Sequence, residues 1–256
     1  MTVQAPAPAG MDEAEWRTRV DLAAIFRLVD LYGWSDLLAT HMSARVPGSE
    51  DHFLINRFGE MFDEITASSL VKVDREGEIV AGEGPVNPAG FVIHSAVHMA
   101  RPEAACVMHT HTQAGVGVAT QRDGLLPLTQ HALAVIAHTA YHGYEGIATD
   151  LDERERLARD LGDNNVLILR NHGLLTVGRS FGETFMWMYR AERACRMQLA
   201  VQQAGAPVSE IPEEVQAVTV ARNRFNNSEQ GYRTIGRIEW PALRRRLDRL
   251  DPDYAT

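Results

Sequence analysis

Apolar side chains recur every three to four residues in several segments of the chain. In the first segment, the apolar positions between Leu22 and Val29 share one face of a helix that begins at Asp12 and ends at Gly33. The same period predicts further helices over residues 87–100, 130–138, 150–162, 180–204, 213–225 and 241–250.

Between these helices the pattern changes to short apolar runs, alternating or continuous, which predict β-strands. They cover residues 41–46, 52–56, 71–74, 78–80, 105–111, 166–169 and 174–177. Strands interleaved with helices predict an α/β fold with helices packed on a central sheet. No linker divides the chain, so we expect a disordered Ala/Pro-rich leader at residues 1–10 and one domain over residues 11–256, with its C-terminal helices within residues 209–251.

Two histidines lie on the strand predicted over residues 105–111. Alternate side chains of a strand share one face, so His109 and His111 project together, about 7 Å apart. His172 follows another buried strand, in a turn between Asn171 and Gly173, and is the natural third ligand of a metal ion. The alternatives are two polar residues at a solvent-facing strand edge and a structural histidine bonded to the backbone.

Three histidine ligands leave a divalent ion with an open coordination position, which is typical of a catalytic site. A structural zinc site usually includes thiolates, but Cys106 faces the opposite side of the strand from His109. The other histidines are weaker candidates. His94 and His98 form either a ligand pair or one polar helix face, and His131, His138 and His142 are expected to be structural or to support the ligands.

Composition excludes several classes of function. The net charge is -9, and the one basic triplet, Arg244–Arg246, lies between leucines at helical spacing on a predicted helix, so it is interpreted as a solvent-facing helix surface. Nucleic acid is therefore not an expected partner. The two cysteines lie in apolar surroundings, which favours a reducing compartment. No apolar run is long enough to span a bilayer. We expect a soluble cytoplasmic protein that acts on a small molecule, with no membrane partner.

Several motifs together resemble the class II aldolase/adducin family. They cover roughly residues 15 to 205 and comprise Asn87–Phe91, Ala100–Glu103, Cys106–His111, Gly124–Pro127, Ala140–Ile147 and Val166–Gly178. The resemblance implies a single three-layer α/β/α domain with a central, mostly antiparallel sheet. It also implies a homotetramer with active sites at subunit interfaces. One divalent ion, zinc first and iron, manganese or cobalt as alternatives, would be held by His109, His111 and His172.

The chain departs from the sugar-phosphate aldolases of this family. Where they carry a metal-binding or proton-transferring carboxylate, this chain has Gly90, and their phosphate-binding serines correspond to Pro88 and Ala89. His41 stands where they have an asparagine, although Ser43 is kept. Sugar-phosphate chemistry is therefore disfavoured.

The stretch from Asn87 to Phe91 resembles the adducin head domain instead. Ser43 and Asn87 are predicted to bind substrate. Glu145, His142 and Tyr141 are the candidates for catalysis, because a glutamate with a raised pKa or a histidine titrating near neutral pH suits proton transfer. The alternative is a packed loop that covers the edge of the sheet.

Three functions remain open from the sequence. The first is a metal-dependent lyase, aldolase- or decarboxylase-like, that acts on a small oxo- or hydroxy-acid through an enolate-like intermediate. The second is a non-haem Fe(II) oxygenase, because three neutral histidines leave more than one open position. The third is a non-enzymatic assembly module like the adducin heads.

Overall fold

The computed structural model describes residues 6–146, 152–228, 230–231 and 235–256. The strands in these ranges are β1 (His41–Arg45), β2 (Phe53–Ile55), β3 (Val71–Val73), β4 (Ile79–Ala81), β5 (Cys106–Thr110), β6 (Thr139–His142), β7 (Val166–Leu169) and β8 (Gly173–Gly178). The helices are α1 (Glu13–Leu31), α2 (Pro88–Ala100), α3 (Gln113–Ala119), α4 (Gln130–Ile136), α5 (Glu153–Leu161), α6 (Phe181–Ala204), α7 (Glu213–Asn226) and α8 (Glu239–Leu250), followed by a 3-10 turn at Pro252–Ala255.

The strands form one sheet in the order β4-β3-β2-β1-β5-β8-β7-β6. The pair β6 and β7 is parallel, and the other neighbouring pairs are antiparallel. The expected α/β class with a mostly antiparallel sheet is confirmed. This order places β5 between β1 and β8, so the strand that carries His109 is hydrogen-bonded to a neighbouring strand on each side.

Helices cover both faces of the sheet and give it three layers. On one face, α2 and α5 pack against side chains such as Val107 and Leu175. On the other face, α1, α3, α4 and α6 enclose Met108 and Leu174. Neighbouring residues of β5 and β8 thus enter opposite cores, as the alternation of a strand requires.

Local signals fix several boundaries. The Asp12 carboxylate accepts hydrogen bonds from the amides of Ala14 and Glu15 and so begins α1. The hydroxyl of Ser180 accepts a hydrogen bond from the amide of Glu183 and so begins α6. This helix ends at Gly205, which adopts a φ of 62° in the left-handed region. The predicted start of α5 at Asp150 lies outside the described residues.

Two elements were not expected from the sequence. Helix α3 contains two glycines in seven residues, which disfavours a helix by about 1 kcal/mol per glycine. A Cβ at Gly115 would meet Leu174 at 2.8 Å, and one at Gly117 would meet Leu199 at 3.0 Å. The glycines therefore allow α3 to lie close to β8 and α6. The other element, β6, is a four-residue edge strand that pairs with β7 alone.

The predicted leader at residues 1–10 falls partly on residues outside the described ranges. Its disorder and the assignment of residues 11–256 to one domain stay predictions. Among the described helices, none combines the length and apolar character that crossing a membrane requires.

Candidate metal centre

Three histidines converge where β5 ends and β8 begins. His109 lies in β5, His111 follows that strand, and His172 precedes β8. The antiparallel register pairs Thr110 with Leu174, which brings the end of β5 beside the turn that carries His172. The sheet thus assembles ligands that lie 61 to 63 residues apart in sequence.

The three rings are close enough to share an ion. Their centroids are separated by 4.6 Å (His109 to His111), 4.7 Å (His109 to His172) and 4.9 Å (His111 to His172). One nitrogen from each ring lies within 4.8 Å of the others. A tetrahedral ion with Zn–N bonds of about 2.05 Å holds its ligand nitrogens about 3.3 Å apart, so side-chain adjustments suffice. The donor set fits zinc or another imidazole-binding divalent ion.

Two of the imidazoles are oriented by hydrogen bonds to the ring nitrogen that faces away from the other histidines. Nδ1 of His109 lies 3.0 Å from the carbonyl oxygen of Leu174, and Nδ1 of His111 lies 3.1 Å from a carboxylate oxygen of Asp36. Each bond places the proton on Nδ1 and leaves Nε2 as the ligand atom. The two Nε2 atoms are 2.8 Å apart. A carbonyl or carboxylate behind a ligating histidine is the usual supporting arrangement of protein metal sites.

The turn that presents His172 depends on its neighbours. Asn171 adopts a φ of 56°, in the left-handed region that asparagine tolerates. The amide of His172 donates to the carbonyl of Leu169 at 3.1 Å, which closes the turn. A Cβ at Gly173 would collide with the carbonyl of Thr110. Gly173 is therefore required by the close approach of β5.

Burial keeps two of the rings in the neutral, metal-binding form. Desolvation, and then the neighbouring imidazoles, place the pKa of His109 well below its ordinary value. The same causes lower the pKa of His172 to about 4. Both rings are thus unprotonated at neutral pH and need not release a proton to bind a cation.

A cavity of about 490 Å³ opens beside the triad. Its volume suits a small organic molecule. Besides the triad, its polar lining includes Asp36, His41, Tyr144 and Asn171. The described lining residues do not include Ser43 or Asn87, whose predicted substrate contacts stay predictions.

Ser43 belongs to a buried chain of hydrogen bonds that begins at His41. Nδ1 of His41 is 2.8 Å from Nε2 of His94, and Nδ1 of His94 is 2.5 Å from the hydroxyl of Ser43. That hydroxyl is also 2.8 Å from Nε2 of His98. The polar helix face considered for His94 and His98 is thus directed inward, onto β1. Burial lowers the pKa of all three histidines, that of His98 to about 3.

The residues predicted to transfer protons occupy different surroundings. His142 and Glu145 line a small recess that His172 also borders. Nδ1 of His142 is 2.7 Å from the carboxylate of Asp160. Glu145 pairs with Arg156 through oxygen–nitrogen distances of 2.6 and 2.9 Å, and this pairing lowers the pKa of the carboxyl. A lowered pKa is opposite to what a general base working near neutral pH needs.

The third candidate, Tyr141, makes contacts of a packing residue. Its hydroxyl accepts a hydrogen bond from the amide of Leu125 at 3.0 Å, and the guanidinium of Arg170 lies 4.2 Å from its ring centroid. The structure brings Tyr144, the next tyrosine along the chain, to the triad cavity instead. The catalytic roles of Tyr141, His142 and Glu145 stay predictions.

Comparison with known proteins decides the family. The sequence model described as the class II aldolase and adducin N-terminal domain matches residues 20–199. The chain belongs to the class II aldolase/adducin family. A Pseudomonas aeruginosa protein, assigned provisionally by its name to aldolase class 2, is 50% identical over 255 residues, which are 99% of this chain and 97% of that protein.

Two further members of the class II aldolase/adducin family show its range. Rat alpha-adducin is 41% identical over 250 residues, which cover 93% of this chain and 34% of the adducin. The solved structure of L-fuculose 1-phosphate aldolase from Glaciozyma antarctica superposes with a TM-score of 0.81 at 28% identity, covering 99% of this chain and 97% of that one. The family assignment made from the motifs is confirmed.

The surroundings of the triad differ from what the sugar-phosphate aldolases of the family lead one to expect. The position of the expected carboxylate is Gly90, and the structure fills the space above it with the ring of His41. Asp36 and His41 are the residues of the site that sequence reasoning did not select. Asp36 lies in a loop with no pattern around it, and His41 begins an ordinary alternating strand.

Proposed function

We propose that this protein is a metal-dependent lyase of the class II aldolase type, acting on a small oxo- or hydroxy-acid. The observation that carries the proposal is the convergence of three imidazoles, two of them with Nε2 freed for an ion, at the wall of an open cavity. A divalent ion bound there would supply Lewis-acid polarisation of substrate carbonyl and hydroxyl oxygens.

Groups of the chain itself would orient the metal ligands and transfer a proton. Asp36 and the carbonyl of Leu174 keep two ligand rings in place, and burial keeps His109 and His172 unprotonated. Among the predicted proton-transfer residues, His142 has the more suitable surroundings. The Asp160 carboxylate holds its Nδ1, as in acid–base histidines, and its recess borders His172.

The substrate class follows from what surrounds the cavity. The fuculose-phosphate aldolase neighbour acts, by its name, on a phosphorylated sugar. Pro88 and Ala89 stand at the phosphate-serine positions here, and the hydroxyl of Ser43 is already bonded to two histidines. The described lining residues of the cavity include no lysine or arginine. These features argue against a substrate that carries a phosphate group.

A non-haem Fe(II) oxygenase is the second candidate, supported by three neutral ligands without a carboxylate in the triad. An adducin-like assembly module is the third, supported by 41% identity to alpha-adducin. We infer that the protein is a homotetramer, as the family resemblance implies, and that it acts in the cytoplasm. The buried free thiols of Cys106 and Cys195 are compatible with a reducing compartment.

Metal analysis of His109→Ala and His172→Ala tests the proposal. Both variants should stay folded by circular dichroism but lose the metal, because two imidazoles hold a divalent ion far more weakly than three. The matched control is His131→Ala, which removes an exposed histidine from α4 and should keep one equivalent. A full equivalent of metal in both triad variants would refute the ligand assignment.

The identity of the metal and the reaction separate the three functions. Zinc, manganese or cobalt with cleavage of oxo- or hydroxy-acids supports the lyase. Iron with oxygen consumption supports the oxygenase instead. A purified chain that neither contains nor rebinds a divalent metal would leave only the assembly module.

A further inference from the structure

One face of α2 packs against one face of β1 through polar side chains. Gly90, His94 and His98 are four residues apart and so lie on one side of the helix. His41 and Ser43 are two residues apart and share one side of the strand. The four side chains other than glycine are each 1–3% exposed. Burying polar groups in an otherwise apolar layer costs folding free energy unless the groups are hydrogen-bonded. The four side chains are linked to one another by hydrogen bonds.

The hydrogen bonds run in a single file, which restricts where the protons lie. A neutral imidazole carries one N–H and one acceptor nitrogen, and the Ser43 hydroxyl can donate one hydrogen bond while accepting another. The file His41–His94–Ser43–His98 therefore has two consistent proton orders. In one order Nε2 of His41 carries a hydrogen, and in the other it is an acceptor. In both orders Nδ1 of His41 is occupied by His94, and Nε2 is left for another partner.

The ring of His41 lies directly over the backbone of Gly90. A Cβ at this glycine would meet Cδ2, Cγ and Nε2 of His41 at 2.7, 2.8 and 3.1 Å. Gly90 is not among the residues with positive φ, so its small size, not its backbone freedom, is what the site uses. The imidazole of His41 on β1 occupies the space that a side chain at Gly90 on α2 would fill.

The same ring reaches the metal centre. His41 is the register partner of His109, and the centroids of the two rings are 5.1 Å apart. His41 also lines the cavity beside the triad. A molecule held through its oxygens on the triad would therefore have Nε2 of His41 beside it, on a ring that the hydrogen bond from Nδ1 to His94 already orients.

We propose that His41 is a substrate-contacting residue, which hydrogen-bonds an oxygen of the oxo- or hydroxy-acid, and that His94, Ser43 and His98 position it. This inference rests on the proposed function. The two proton orders of the file let His41 donate to a carbonyl oxygen or accept from a hydroxyl. The wall it forms is uncharged and matches a neutral oxygen.

Binding of acetohydroxamate to the zinc-loaded protein, measured by calorimetry, tests the contact. The probe offers two adjacent oxygens to a divalent ion and carries no phosphate. His41→Ala should bind it about tenfold more weakly, the usual effect of one buried hydrogen bond. Zinc affinity should change less than about twofold, because His41 is not one of the triad ligands. His131→Ala should match the wild type in both measurements.

Gly90→Ala provides a second, steric test. In the wild-type background the new methyl group displaces the ring of His41 and should weaken probe binding about as much as His41→Ala does. In the His41→Ala background the methyl group has room, so it should add almost nothing. Such non-additivity is expected when two residues act through one contact. Additive losses from the two changes would overturn the inference.

The positioning role has its own measurement. In one proton order His41 and His98 both carry the hydrogen on Nδ1, and in the other both carry it on Nε2. Nitrogen-15 NMR should therefore show equal tautomer fractions for His41 and His98 in the wild type and unequal fractions in Ser43→Ala, because the alanine removes the hydroxyl that couples the two rings. Equal fractions for the two rings in Ser43→Ala would overturn the positioning role.

The outcomes also separate this inference from the proposed function. Wild-type protein that binds no zinc defeats both. Zinc binding together with unchanged acetohydroxamate affinity in His41→Ala defeats the inference alone. A large loss of zinc affinity in His41→Ala would make His41 a support of the metal and would also overturn it.

Discussion

In the proposed metal site, Asp36 orients the ring of His111 toward the ion. Its carboxylate oxygen lies 3.1 Å from Nδ1 of His111, on the side of the ring away from the ligand nitrogen. Removing the carboxylate in Asp36→Ala frees the ring to rotate and lowers the basicity of Nε2. Zinc affinity should therefore fall while the triad itself stays intact.

The size of this loss can be bounded from the structure. Losing such a supporting partner typically weakens metal binding about 10- to 100-fold. The Asp36 side chain is 52% exposed, so water screens its charge and can replace part of its hydrogen bond. We expect the lower end, about tenfold in Kd. Asp36→Asn keeps an acceptor oxygen without the charge and should lie between the wild type and the alanine variant.

Competition with a chromophoric chelator at fixed pH and ionic strength measures the zinc Kd directly. Asp63→Ala removes the same charge from an exposed turn that does not line the cavity, and it is the matched control. Equal zinc affinity in Asp36→Ala and the wild type would refute the supporting role. Equal losses in Asp36→Ala and Asp63→Ala would show a general effect of charge instead.

Two further predictions concern stability. Burial, assisted by Arg45, lowers the pKa of His98 from its ordinary 6.5 to about 3, so between these values the unfolded chain binds a proton that the folded chain does not. Stability from this residue is complete above pH 6.5 and is lost as the pH falls toward 3. The unfolding free energy of His98→Gln should fall less steeply over this window, by about 1.4 kcal/mol per pH unit. Separately, Tyr254→Ala should cost about 3 kcal/mol and lower Tm by about 10 °C, because it empties a fully buried site in which the hydroxyl bonds Arg244 and Asp248.

Denaturant titrations from pH 7 to pH 4 check the first of these, and parallel curves for the wild type and His98→Gln would contradict it. Calorimetry checks the second against Asp253→Ala, an exposed change in the same turn that should stay within about 0.5 kcal/mol. A loss no greater than this control would show that the C-terminal turn does not support the core.

The elements with strong local patterns were predictable. Helices α1 and α6 carry a cap at one end, a glycine at or just beyond the other and apolar residues at helical spacing between. Such signals act between residues close in sequence, where chain geometry alone decides which side chains meet. The two glycines of helix α3 disfavour a helix locally. The helix is present because these glycines allow close packing against β8 and α6. The edge strand β6 is too short to show a period.

The sequence by itself determined the family, the α/β class and the three candidate ligands, since strand alternation places His109 and His111 on one face and a turn presents His172. Only the tertiary structure decided what supports and surrounds them. The pairing of β1 with β5 sets His41 opposite His109, and the loop before β1 brings Asp36 to His111. These meetings depend on strand register and on packing between distant segments, which no local pattern of residues encodes.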